Sequence, residues 1–88
     1  MGGLVVVFKL MPEGVETDLE ALKNEVRKVI PKGSQLQGFQ VKPIAFGLKA
    51  LEVTLTMEDG EGGPDAVEEA FGSLPGVQSA QVAEMGRF

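Results

Sequence analysis

Two apolar segments rich in β-branched residues, 4–10 and 48–57, restrict the chain to folds built around a well-covered sheet. Residues 4–10 are apolar on both faces of a strand apart from Lys9, a pattern typical of a central strand. The second segment is apolar at Leu48, Leu51, Val53, Leu55 and Met57. We therefore expect these two strands to lie in the middle of one sheet.

Two weaker strands accompany the apolar ones. Residues 35–42 interleave polar with apolar side chains, and Gly38 predicts a bulge among them. Residues 77–85 are mostly small and polar. Both patterns are typical of edge strands. The short connection 43–47 predicts that strands 35–42 and 48–57 form a hairpin.

Helical patterns separate the strands at two places. Thr17-Asp18-Leu19-Glu20 fits a capping box with Thr17 as the N-cap. The apolar face of this first helix comprises Leu19, Leu22, Val26, Val29 and Ile30. Pro31-Lys32-Gly33 is expected to close it. Pro64 suits the first turn of a second helix, which carries Val67, Ala70, Phe71 and Leu74.

The resulting order is βαββαβ, which predicts an α+β, ferredoxin-like fold with a four-stranded antiparallel sheet and two helices on one face. At 88 residues the chain has room for one hydrophobic core. No linker or shift in composition divides it, so residues 1–88 are expected to form a single domain. Such a fold alone does not specify a function.

Composition removes several classes of function. The chain contains neither Cys nor His, which excludes disulfides, thiolate metal sites and the usual general base. An enzyme remains possible, but it would have only carboxylates, Lys, Arg and hydroxyls for its chemistry. We expect docking on a protein partner instead, with no bond chemistry, no bound metal and no cofactor. The net charge of −5 opposes direct binding to nucleic acid and favours a protein partner. The early apolar run is too short for a signal peptide or membrane span, so a cytoplasmic protein without membrane contact is expected.

Three kinds of functional site that this fold can carry receive little support from the sequence. An RNA-binding sheet stacks bases on aromatic residues of its middle strands, and only Phe8 is available there. A phosphohydrolase loop would need an Arg after the first strand, where Glu13 stands instead. The acidic set Glu58, Asp59, Glu61 and Asp65 has the oxygen ligands for Ca²⁺ or Mg²⁺. Its spacing does not match an EF-hand, and a solvated loop is the simpler interpretation.

Two positions remain open on residue type alone. Phe46 stands between Ala45 and Gly47 in the hairpin connection, where it either folds back on the core or enters a partner's pocket. Arg87 lies one residue from the end of the sequence, and a terminal Arg is usually a solvated charge.

Read together, these segments resemble the elongation factor 1-beta family. Residues 42–51, Lys-Pro-Ile-Ala-Phe-Gly-Leu-Lys-Ala-Leu, match its pattern of a Pro, a small residue, an aromatic residue, a Gly, an aliphatic residue and a Lys. Residues 77–88 are similar to its ending, where eukaryotic members close with a Lys and an aliphatic residue. The Val-rich opening, Met11-Pro12-Glu13 and residues 17–20 extend the resemblance over essentially the whole chain, at the length of the archaeal form.

The resemblance implies guanine nucleotide exchange on the translational GTPase elongation factor 1-alpha, by which GTP replaces GDP. By position, Arg87 takes the role of the eukaryotic penultimate Lys, which enters the Mg²⁺ site of the GTPase. Phe46 corresponds to an aromatic side chain that contacts the GTPase near its switch regions. The remaining partner contacts implied are Pro43, Gly47, Lys49 and Phe88.

A second interpretation of the same fold is a small ligand-sensing regulatory domain, a class that is usually dimeric through an edge strand. Such a domain needs a ligand pocket and a partner domain, and the sequence indicates neither. For the exchange factor, a monomer is favoured.

Overall fold

The computed structural model describes residues 3–58 and 63–87. Its elements are β1 (Gly3–Pro12), α1 (Leu19–Lys28), β2 (Ser34–Pro43), β3 (Lys49–Glu58), α2 (Gly63–Gly72) and β4 (Val77–Arg87). The strands form one antiparallel sheet in the order β2-β3-β1-β4. The expected ferredoxin-like order is confirmed, with the two apolar strands in the middle and the two polar ones at the edges.

The core lies between one face of this sheet and both helices. Along β1, the buried residues Leu4, Val6, Phe8 and Leu10 alternate with half-buried ones, as the two-residue repeat of a strand requires. The same cluster includes Leu22 and Val26 of α1 and Val67 and Phe71 of α2. Both helices therefore cover the same face, and we call the other side of the sheet the open face.

One aromatic pair links the central strand to the second helix. The rings of Phe8 and Phe71 are fully buried, with centroids 5.2 Å apart and planes at 84°. This edge-to-face geometry suits the charge distribution of aromatic rings. Among the described residues, no polar or charged side chain is buried, so the core is held by apolar packing.

The structure corrects the predicted start of the first helix. The N-cap is Asp18, not Thr17, and Asp18 Oδ1 accepts hydrogen bonds from the backbone N–H groups of Glu20 and Ala21. The Thr17 hydroxyl instead accepts a hydrogen bond from Gly14 N at 3.3 Å. Thr17 is occupied in closing the turn after β1, which leaves the adjacent carboxylate to cap the helix. The helix also ends earlier than Pro31, at Lys28 with Val29 as the C-cap.

The predicted bulge in β2 is confirmed. The register between β2 and β3 shifts between Leu36 and Gly38, which leaves Gln37 as the extra residue.

The first and last strands are longer than their sequence patterns predicted. β1 continues to Pro12 and β4 to Arg87, because each pairs with the other along that length.

We predict that Phe71→Ala lowers the free energy of unfolding by about 3–5 kcal/mol, because it empties a fully packed site under the sheet. Phe46→Ala is the matched control, since that side chain is 96% exposed, and its effect should stay within about 0.5 kcal/mol. Urea unfolding of both variants measures the difference. Phe71→Leu provides a milder change if Phe71→Ala does not fold. Equal losses for the two alanine variants would contradict the assignment of the core.

Candidate functional site

The loop between β2 and β3 presents an aromatic side chain to solvent. Ile44 N donates to the carbonyl oxygen of Leu48 at 2.9 Å, and Leu48 N donates to that of Ala45 at 3.0 Å. These two bonds close a tight turn with Phe46 and Gly47 at its apex. We call residues 43–49 the hairpin tip.

Both apex residues have left-handed backbone conformations. Gly47 has φ 80° and Phe46 has φ 57°. Glycine adopts this region without strain, whereas the left-handed conformation costs a residue with a Cβ atom about 1 kcal/mol or more of conformational free energy. The Phe46 side chain is 96% exposed, so its alternative role as a core residue folded back on the sheet is wrong. An exposed aromatic residue on a strained backbone is favoured where it has a function outside the chain.

The structure brings four of the predicted contact residues together at this tip. Pro43 is the last residue of β2 and pairs with Lys49, the first residue of β3. Both are exposed and flank the turn that carries Phe46 and Gly47. Lys42 next to them forms an ion pair with Glu52 at 3.4 Å.

Val15 belongs to the same surface, although the sequence pattern did not predict a contact there. It lies in the loop between β1 and α1 and is 63% exposed. A Cβ atom built on Gly47 would lie 3.7 Å from Val15 Cγ1, so the loop and the hairpin tip are in contact. The signal available in the sequence was an apolar residue isolated among Glu13, Gly14 and Glu16.

The loop that carries Val15 is held by one backbone hydrogen bond to a neighbouring turn and one within the loop. Glu13 N donates to the carbonyl oxygen of Gly76 at 3.0 Å, and Thr17 N donates to that of Gly14 at 3.2 Å. The first bond connects the loop to the turn between α2 and β4. Val15 thus lies beside the turn that carries Phe46, and both side chains are exposed.

Arg87 lies elsewhere. It ends β4 opposite Leu4 of β1 and is exposed. Arg87 lines a groove against the beginning of α2, together with Pro64, Asp65 and Glu68. We call this the C-terminal groove. Phe88, the other predicted contact in this region, lies outside the described residues.

The hairpin tip and the C-terminal groove are at opposite ends of the sheet. Arg87 pairs with Leu4 near one end of β1, whereas β3 enters from the hairpin tip with Leu51 opposite Leu10 near the other end. Leu4 and Leu10 alone are separated by about 20 Å, at the usual rise of a strand. The longest dimension of the molecule is 42 Å. The predicted contact residues therefore form two separate sites.

Other chemistry receives little support from the geometry. Phe8, the aromatic residue that an RNA-binding sheet would need, is fully buried. Among residues 3–58 and 63–87, no group of three or more acidic side chains is arranged to hold a metal ion. Of the acidic set, Asp59 and Glu61 lie outside the described residues. Within the described parts of the chain, no helix has the length and apolar character needed to cross a membrane.

The fold has a counterpart among solved structures. The C-terminal domain of the MgtC protein from Mycobacterium tuberculosis superposes with a TM-score of 0.51, covering 100% of this chain and 86% of that one. Sequence identity between the two is 16%. The likeness concerns the fold alone.

Comparison of sequences identifies the family. Residues 5–88 match the model of the EF-1 guanine nucleotide exchange domain. The elongation factor 1-beta of Methanosarcina mazei is 52% identical over 88 residues, which cover 99% of each chain. That of Methanococcoides burtonii is 49% identical over 87 residues, covering 99% of this chain and 98% of its own. The chain therefore belongs to the EF-1 guanine nucleotide exchange domain family.

Proposed function

We propose that this guanine nucleotide exchange domain acts on the translational GTPase elongation factor 1-alpha, where it promotes the release of GDP so that GTP can bind. The match to the exchange-domain family over residues 5–88 carries this proposal. Relatives of the same length named elongation factor 1-beta support it. The ligand-sensing alternative is not favoured by these matches.

Exchange by a bound protein is a problem of coupled equilibria. If the factor weakens the binding of nucleotide to the GTPase, nucleotide weakens the binding of the factor by the same ratio. The factor therefore needs one contact that gives affinity and another that acts against the bound nucleotide. We assign these two tasks to the two separate sites.

The hairpin tip provides the affinity. Phe46 is an aromatic side chain that is almost fully accessible, and burying such a group in a partner pocket is a typical source of binding energy. Val15 lies next to Gly47 and adds a second exposed apolar side chain to this surface. Gly47 allows the turn, while Pro43 and Lys49 form the base of the tip. The backbone strain at Phe46 is offset by the partner contact that it makes possible.

Arg87 acts on the nucleotide site. In GTPases a Mg²⁺ ion neutralises phosphate charge and helps to hold the nucleotide. A guanidinium placed at the position of that ion disfavours the ion and therefore weakens the nucleotide. Arg87 differs from Lys in being planar and able to form paired hydrogen bonds with carboxylate or phosphate. Phe88 is proposed to contact the GTPase beside it.

The separation of the two sites defines how the factor lies on its partner. Phe46 and Arg87 are at opposite ends of a molecule 42 Å long. Contact at both requires the factor to lie lengthwise across the GTPase. Once Phe46 is anchored at one end, Arg87 is held close to the nucleotide site, which raises its effective concentration there.

Further features of the proposal follow from this mode of action. The factor changes binding equilibria, so it needs no bond chemistry of its own. We propose that one domain spanning residues 1–88 acts as a monomer in the cytoplasm, where translation takes place. The net charge of −5 opposes direct contact with nucleic acid.

We predict that Phe46→Ala weakens binding to the nucleotide-free GTPase by about 2 kcal/mol, as expected for an aromatic anchor. Titration calorimetry with purified elongation factor 1-alpha measures the affinity. Phe46→Leu keeps part of the apolar surface, so its affinity should lie between those of the wild type and Phe46→Ala. Wild-type affinity for Phe46→Ala would show that the tip is not the anchor.

We predict that Arg87→Ala slows stimulated GDP release about tenfold, equivalent to about 1.4 kcal/mol, while affinity for the nucleotide-free GTPase changes little. Stopped-flow release of a fluorescent GDP at several Mg²⁺ concentrations tests this. The deficit should shrink when Mg²⁺ is chelated, because the ion no longer needs to be displaced. Arg87→Lys keeps the charge and should retain much of the activity. Wild-type rates for Arg87→Ala at every Mg²⁺ concentration would refute the role.

A further inference from the structure

The last strand contains a β-bulge just before the residues that lead to Arg87. Phe8 of β1 pairs with Val82, whereas the preceding residue, Val7, pairs with Glu84. Ala83 is therefore an extra residue without a partner on β1. The bulge was not apparent in the sequence, because Ala83 stands in a run of small and polar residues.

This extra residue decides the face on which Arg87 lies. Val82 is opposite the buried Phe8, on the side of the sheet covered by the helices. Beyond the bulge, Arg87 is opposite Leu4, which is also buried on that side. Side chains alternate between the two faces along a strand. Without the extra residue, Arg87 would therefore lie on the open face. With the bulge in place, Arg87 instead lines the C-terminal groove beside α2.

A side chain of α2 holds the strand at this point. Glu68 Oε2 accepts a hydrogen bond from Val82 N at 2.8 Å in a partly buried setting. The bond joins residues 14 positions apart in sequence and ends at the residue directly before the bulge. A carboxylate acceptor makes it stronger than a hydrogen bond between neutral groups. Glu68 thereby ties the irregular part of β4 to the helix that forms the other wall of the groove.

We infer that Glu68 is a positioning residue for Arg87: by holding the bulge at Ala83, it keeps Arg87 on the helix-covered side of the sheet at the C-terminal groove. The inference rests on the proposed role of Arg87 in nucleotide release. Glu68 itself does not contact the nucleotide. It acts through the register of β4, which determines where the terminal cation points when the factor docks.

The test compares three variants at the helix with Arg87→Ala in the same stopped-flow assay of GDP release. Glu68→Leu removes the acceptor and should slow release about fivefold, less than the loss of about tenfold expected for Arg87→Ala, because a displaced Arg87 loses only part of its effect. Glu68→Gln removes the charge but keeps an acceptor oxygen, and should stay within about twofold of wild type. Glu69→Leu, an exposed acidic position one residue along, is the matched control and should have the wild-type rate.

Two further measurements separate positioning from general destabilisation. Amide hydrogen exchange should become faster at Val82 in Glu68→Leu, while the amide of Phe8 in the centre of the sheet remains protected. The double variant Glu68→Leu/Arg87→Ala should be no slower than Arg87→Ala, because Glu68 acts only through Arg87.

Several results would overturn the inference. Equal slowing in Glu68→Gln and Glu68→Leu would assign the effect to charge, and additive effects in the double variant would assign it to a separate contact. If Arg87→Ala is slow but Glu68→Leu is not, the positioning role fails while the proposed function stands. If Arg87→Ala itself releases GDP at the wild-type rate, the proposed role of Arg87 fails first and the positioning role with it.

Discussion

The pairing of β1 on both of its edges is the constraint on which the rest of the molecule depends. β1 bonds to β3 along one edge and to β4 along the other, and its alternate residues form the centre of the core. Because β3 arrives from the hairpin tip while β4 leads to the end of the chain, this arrangement sends the two candidate contacts to opposite ends of the sheet. The separation of the hairpin tip from the C-terminal groove is thus a consequence of topology.

The described part of the chain keeps polar groups out of its interior and places its irregular features at the surface. Buried residues there are apolar, and the residue with a strained backbone, Phe46, is also the most exposed of the large apolar side chains. A small domain has little stability to spare. The exposed Phe46 in a left-handed conformation is therefore consistent with the partner contact proposed for it.

The proposed division between docking and release suits a factor that changes a binding equilibrium. A factor that bound only through the nucleotide site would compete directly with a tightly held ligand. In the proposed arrangement, affinity from the distant hairpin tip allows the charged end of β4 to act at the nucleotide site while the factor remains bound. Glu68 accepts a hydrogen bond from the Val82 amide. This contact is relevant to the proposed role of Arg87, because a cation on an edge strand can act only if the register of that strand is held.

Much of the architecture could be predicted from local patterns. The central places of β1 and β3 followed from dense β-branched residues, and the buried face of α1 followed from helical spacing. The hairpin and the bulge near Gly38 were also recognisable, because turn residues and glycine reveal local geometry. The predicted N-cap of α1 was wrong. Thr17 and Asp18 are both good caps, and the choice between them depended on the turn that Thr17 closes with Gly14.

Hydrophobic periodicity and turn chemistry, which act over a few residues, were thus enough for the sequence by itself to determine the order of elements and the class of fold, and its resemblance to known sequences indicated the family. Only the tertiary structure decided that Val15 adjoins Gly47, that Phe46 points into solvent, and that Arg87 lies far from both. It also decided the bulge at Ala83, next to which Val82 N donates a hydrogen bond to Glu68, a residue 14 positions away in the sequence. These features depend on strand register and on contacts between segments that are distant in the sequence. A one-residue change in register moves each side chain to the other face of the sheet, and the local sequence pattern does not reveal it.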